Sequence, residues 1–306
     1  MRTEVLRDPV GCHDDAMGLS RTPLTPMPPT DPPADIPGLI GLERSILLEL
    51  LATLDTADWQ RPSPCPGWSV LGVCSHLLGN ELSLLSIHRD GHHGTPAPEG
   101  LTDVQFIRWL DDLQAEWVRA ARRLSPQLVA DLLVSTGSQL VEVMRQQDPR
   151  LCTARVSWAG PDPVPVWLDQ VRELSECWIH RQQLLQALGR PSDLRPAVLG
   201  PILDGLRCAY PFRLAHVRAE AGATVLIAIT GSVSAAWPLV ATPTGWEFQA
   251  EPGPEVVASL SMTTEQAWRL LSNNLPADEQ GRLQLSGEKE VVDALRATRA
   301  IIGTPN

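Results

Sequence analysis

Through the first two thirds of the chain, apolar residues recur every three or four positions, the signature of amphipathic helices; only near the end do short β-branched runs replace them. The longest helical pattern is VPVWLDQVRELSECWIHRQQLLQALGRP, from Val164 to Pro191, where Trp167, Val171, Leu174, Trp178, Leu185 and Leu188 make a stripe wide enough to bury. Gly189 and Pro191 supply its stop, since glycine accepts a left-handed terminus and proline cannot extend the hydrogen-bond ladder. Asp169, Glu173, Glu176, His180 and Gln183 form a second, polar stripe beside the apolar one. Within it, Glu176 and His180 are four residues apart, so their Cβ atoms are about 5–6 Å from each other on one face. That stripe reads either as an ordinary solvated face or as the seat of two metal ligands.

The same periodicity predicts helices from Leu39 to Leu54, from Ser69 to Arg89, from Leu101 to Leu124 and from Ser125-Pro126 to Arg145. Pro62, Pro64, Pro66 and Gly67 enforce a loop before the second of these, and Ser69 or a neighbour caps it. Val70, Val73, Cys74, Leu77, Leu78 and Leu84 mark its buried side, and His76 sits beside that side rather than opposite it. Alone, His76 reads as a hydrogen-bonded core histidine. His88, His92 and His93 fall at the helix end and in a glycine-flanked loop, where solvated histidines are ordinary. After Pro191 a helix is expected from Pro196 to Ala221. Strands follow over Ala223–Ile229, Ser232–Leu239, Gly245–Ala250 and Ala258–Met262, then helices over Thr264–Asn273 and Glu288–Ile302. The fold class is therefore a four-helix bundle followed by a small α+β domain, with boundaries at 38–192 and 193–306. Residues 1–37, rich in proline, read as a disordered arm.

Composition narrows the function. A net charge of -11 and a pI near 5.1 exclude sequence-independent nucleic-acid binding, which needs lysine and arginine to neutralise phosphates. No uninterrupted apolar run of about 18 residues and no amino-terminal apolar leader occur, so a cytoplasmic protein without a membrane span is expected. Six cysteines without a CxxC pair fit reduced thiols, and Cys177 projects into the core rather than toward Glu176. Glycine-rich phosphate loops, GxSxG and HExxH are absent.

Two passages, SPCPGWSVLGVCSHLLGNE and ELSECWIHRQQLLQALGRP, together resemble the mycothiol-dependent maleylpyruvate isomerase family, whose amino-terminal part is a DinB-like four-helix bundle. The resemblance covers about Ile40 to Pro191. More weakly, TTEQAWRLLSNN and LQLSGEKEVVDAL are similar to that family's sterol-carrier-like carboxy-terminal domain. It implies that His76, Glu176 and His180 bind a divalent metal, usually zinc, and that the cofactor is mycothiol or an equivalent small thiol. Where family members often carry Asp three residues after the second ligand histidine, this chain has Gln183, which can hydrogen-bond a ligand but cannot accept a proton. Two imidazoles and a carboxylate suit zinc and leave open positions, where a thiol is ionised into a nucleophile. The function so implied is isomerisation of, or S-transfer to, an electrophilic small molecule. Arg207, Arg213 and Arg218 are candidates to pair with an anionic substrate. The competing reading is a non-catalytic metal-binding bundle whose carboxy-terminal domain takes an apolar ligand or protein partner; ten tryptophans suit either.

Overall fold

The computed structural model describes residues 31–301. Most of the proline-rich arm expected over 1–37, together with Cys12 and His13, lies outside them. Helix α1 (Ile36–Leu51) starts three residues before its expected first residue, because Asp35 caps it by accepting from the Gly38 N–H and Pro37 is tolerated in a first turn. α2 (Val70–His88), capped by Ser69, and α4 (Pro126–Arg145), capped by Ser125, match the expected spans. α3 (Asp103–Ala121) is shorter than expected at both ends. The long helix α5 (Val166–Ala187) loses its first two residues, since Val164–Pro165 is strand β2, paired antiparallel with β1 (Cys152–Ala154). It ends as expected: Gly189, at φ 67°, lets the Arg190 N–H reach back to the Leu185 carbonyl.

α1, α2, α4 and α5 surround a common interior, and α3 lies on α2. Trp117 of α3 rests on Gly79 of α2, where a Cβ would come within 2.3 Å of the indole, so only a bare Cα allows this approach. By length and mean hydropathy α2 is the one helix among the described residues able to cross a membrane. Its apolar window, interrupted by His76, Asn80 and Glu81, is 56% buried within the protein.

The single helix expected from Pro196 to Ala221 is two, α6 (Pro196–Leu206) and α7 (Ala209–Leu214), broken at Arg207-Cys208. β3 (Ala223–Thr230), β4 (Ala235–Thr242), β5 (Gly245–Phe248) and β6 (Glu255–Thr263) are the expected strands with shifted ends. α8 (Thr264–Leu271) follows β6. The short helix α9 (Ala277–Gln280) and the edge strand β7 (Gln284–Gly287) were not expected, their polar, glycine-punctuated sequence giving no periodicity. α10 (Lys289–Ala297) closes the described chain, five residues short of its expected end. The sheet order is β5-β4-β3-β6-β7, antiparallel except for the central β3/β6 pair. One hydrophobic core runs from α1, α4 and α5 through α6 and α7 to the sheet, and Trp178 of α5 meets Trp268 of α8 edge to face at 5.2 Å. The architecture is a helical amino-terminal part followed by a sheet-containing carboxy-terminal part.

Two ion pairs lie inside the helical part. Adjacent residues of α1 reach different helices: Glu43 receives Arg181 of α5, and Arg44 pairs with Glu81 of α2, which also accepts from the Thr136 hydroxyl. Arg44 also donates to the Leu133 carbonyl at 2.9 Å. Gly137 of α4 makes room for this guanidinium, since a Cβ there would fall 1.9 Å from Arg44 Nε. Removing one partner from a buried pair leaves an uncompensated charge. Gly137→Ala is therefore expected to push Arg44 off Glu81 and cost about 3 kcal/mol of stability, read from urea unfolding; a loss within ~0.5 kcal/mol would mean that Arg44 relocates freely.

Candidate metal centre

His76 leaves α2 about two turns after its cap, and Glu176 and His180 leave the middle of α5, where the two helices face each other. The three side chains converge. His76 Nε2 is 2.8 Å and His180 Nε2 3.2 Å from the same carboxylate oxygen, Glu176 Oε1. The two imidazoles stand edge to face with centroids 4.7 Å apart, and one ligand atom from each residue lies within 4.8 Å of the others. Trp68, from the proline-rich loop, covers His76 at 5.0 Å between centroids. His76 is buried, while 26% of the Glu176 side chain stays exposed, so the cluster opens to solvent on the carboxylate side.

The far nitrogens are held too. His76 Nδ1 is 3.1 Å from Gln114 Oε1 of α3, and His180 Nδ1 is 2.7 Å from Gln183 Oε1, one turn along α5. An amide oxygen only accepts, so each Nδ1 carries a hydrogen and each Nε2 is the nitrogen turned toward Glu176. The Cys65 thiol also donates to Gln183 Oε1, at 3.0 Å, and Gln183 Nε2 donates to Asn274 Oδ1 of the sheet part at 3.0 Å. Cys65 Sγ is 3.9 Å from His180 Nδ1, on the side of the ring away from Glu176.

Charge is distributed accordingly. Burial opposes a proton on His180, but the Glu176 carboxylate outweighs it, and with the Cys65 contact pushes the imidazolium up to about 10. The same pairing with the two imidazoles holds Glu176 well below the usual carboxylate range, against the desolvation of its partly covered position. One turn earlier, Glu173 is pushed up to about 7 by burial, against the pull of Arg172 at 2.6 Å, and accepts from Asn80 Nδ2 at 2.8 Å.

The polar stripe of α5 is thus not a face turned to water: Glu173 and Gln183 are buried, and Glu176 and His180 face α2. Cys177 sits in the core as expected. Among the described residues, His76, Glu176 and His180 form the only group of three or more such donors close enough to share a cation; His88 instead meets Gln147 at 3.3 Å. Arg207 stacks over Trp237 and Phe248 and lies 3.6 Å from Asp204, while Arg218 falls beyond α7 rather than on it. Sequence reasoning missed Gln114, Asn80, Cys65 and Asn274 as neighbours of the cluster. Only Cys65 had a signal, its place inside the PCPGW loop.

A raised folded-state pKa stabilises fully below the unfolded value and is lost as pH climbs through the folded one. In chelator-treated protein, the His180 contribution is therefore complete below its ordinary 6.5 and declines toward about 10. The urea midpoint should fall across that window, and His180→Gln should flatten the slope; equal slopes in the two proteins would remove His180 as the source.

Comparison with known proteins follows the same residues. Positions 40–185 match the sequence pattern of the mycothiol maleylpyruvate isomerase N-terminal domain. Two relatives, described as uncharacterized proteins of Mycobacterium tuberculosis strains H37Rv and CDC 1551 / Oshkosh, are 28% identical over 151 residues, 48% of this chain and 54% of theirs. The chain thus spans about half the length of the curated relatives it matches. Two crystal structures of mycothiol-dependent maleylpyruvate isomerase, one of a mutant, superpose with TM-scores of 0.49 and 0.48 at 17% identity. They cover 83% and 78% of this chain and 93% and 88% of their own. The matched segment, residues 40 to 185, carries the proline-rich loop and all three converging side chains, so the likeness to the mycothiol maleylpyruvate isomerase N-terminal domain falls on the site itself.

Proposed function

We propose that His76, Glu176 and His180 hold a divalent cation, zinc by the chemistry of the donor set, and that the protein is an enzyme using a small thiol of the mycothiol type on an electrophilic small molecule. The reaction is isomerisation or S-transfer. The observation that carries the reading is that both Nε2 atoms turn on one carboxylate oxygen while an amide oxygen backs each Nδ1. Backing of this kind fixes ring orientation and leaves Nε2 as the ligating atom, which is what a histidine metal ligand requires. Two nitrogens and one oxygen match the composition of open zinc sites. When bound, a divalent cation supplies Lewis acidity and lowers the pKa of a thiol or water at its open positions.

The chain's own residues divide the remaining work. Trp68 and the bundle interior keep water from His76, so the approach for thiol and substrate is the exposed edge of Glu176. Cys65 lies behind His180, so the reacting sulfur comes from the small thiol and not from this chain. Gln183 accepts hydrogen bonds and cannot take up a proton, which excludes it as the general base. The name of the matched family supports the choice of thiol.

Elemental analysis of the purified chain should find about one divalent ion per molecule, against almost none in His180→Ala that retains the native circular dichroism. Thiol-dependent turnover of a panel of activated alkenes and alkyl halides should disappear in the same variant. Metal retained without thiol-dependent turnover would establish the non-catalytic alternative; unchanged turnover in His180→Ala would defeat the metal assignment itself.

A further inference from the structure

Helix α8 ends in a left-handed residue that is not glycine. Asn273 has φ 58°, the Asn274 N–H reaches back to the Arg269 carbonyl at 2.7 Å, and the Asn273 N–H to the Leu270 carbonyl at 3.3 Å. This double closure is the Schellman arrangement, and asparagine is the side chain that best tolerates its strained position after glycine. Its consequence is directional: the chain leaves α8 so that Asn274 faces α5 and meets Gln183.

The polarity of that contact is dictated from its far end. Asn274 Nδ2 is 2.8 Å from the Ser272 backbone carbonyl and 2.9 Å from the Ser272 hydroxyl. A backbone carbonyl only accepts, so the amide nitrogen must face it and Oδ1 must face Gln183. Oδ1 in turn demands the Gln183 NH₂, which leaves Gln183 Oε1 toward His180 Nδ1 and the Cys65 thiol, both of them donors. Without Asn274 the Gln183 amide is free to turn over. Its NH₂ would then face the His180 Nδ1–H, donor against donor, and the ring could relieve that clash only by giving up the Nδ1 hydrogen or by turning Nε2 away from Glu176. Gln183 and Ser272 are buried, so water does not easily replace a lost partner.

We propose that Asn274 is a positioning residue: through Gln183 it keeps an acceptor on His180 Nδ1 and Nε2 turned toward Glu176, and thereby ties the sheet part to the metal centre. The inference rests on the metal reading for one of its two readouts only. The first is Zn2+ affinity of the full chain, measured by competition with a chromogenic chelator. Asn274→Leu should weaken binding by about tenfold, the usual size for the loss of a group that orients a ligand. In a Gln183→Glu background the same substitution should change affinity by less than about twofold, because a carboxylate presents an acceptor to His180 whichever way it turns. Native circular dichroism and an unchanged urea midpoint in Asn274→Leu guard against a mere folding defect. An equal loss from Asn274→Leu in both backgrounds would overturn the proposal. The second readout is ¹⁵N-edited NMR of the metal-free chain: a slowly exchanging His180 Nδ1–H signal should be present, vanish in Asn274→Leu and return when Gln183→Glu is added. A chain that takes no Zn2+ at all would defeat the metal reading while the NMR series still decides the role of Asn274; persistence of the signal in Asn274→Leu would refute that role.

Discussion

Everything around the centre answers to one carboxylate oxygen that two imidazole nitrogens share. Glu176 Oε1 within 3.2 Å of both Nε2 atoms is favourable only while the rings are aimed and the charges balanced. The aim comes from acceptors on three different elements: Gln114 on α3, Gln183 on α5 and, behind it, Asn274 after α8. No single helix could supply this, because residues on one helix face reach only their own neighbours three and four positions away. The bundle exists, in functional terms, to bring α2 and α5 face to face, and the sheet part adds the last hydrogen bond.

The helical part carries a second polar burden. Arg44–Glu81 and Glu43–Arg181 place four charges inside it, and burial pushes both carboxylates upward in pKa against the pull of their arginines. Pairs like these give little net stability compared with apolar residues of equal size, yet they penalise any misaligned packing strongly. They link α1 to α2 and α1 to α5, the two helices that carry the converging side chains. Register between those helices is thus enforced by charge as well as by the apolar stripes.

Much of this was legible beforehand, and the failures are informative. Periodicity located α2, α4 and α5 nearly to the residue because serine caps and the Gly189 terminus punctuate them. His76, Glu176 and His180 were named from the two sequence passages, and the coordinates bring them together. The polar stripe of α5 was ambiguous, since a polar face looks the same whether it meets water or another helix's polar groups. The partners Gln114, Asn80 and Asn274 carried no local signal at all: each is an ordinary amide whose role arises from a contact with a residue far away in sequence. The break between α6 and α7 and the edge strand β7 escaped for a related reason, tertiary packing overriding weak local preference.

The bare Cα at Gly79 has a reach beyond its own packing. Trp117 settles on it and donates its indole N–H to the Ser75 carbonyl at 2.7 Å, and Gln114 lies one turn earlier on that same helix. The distance between α2 and α3, and with it the presence of an acceptor behind His76, is therefore set by the smallest side chain available, one turn from the imidazole it serves. The nitrogen turned toward Glu176 is in this sense steadied by a hydrogen atom on its own side of α2.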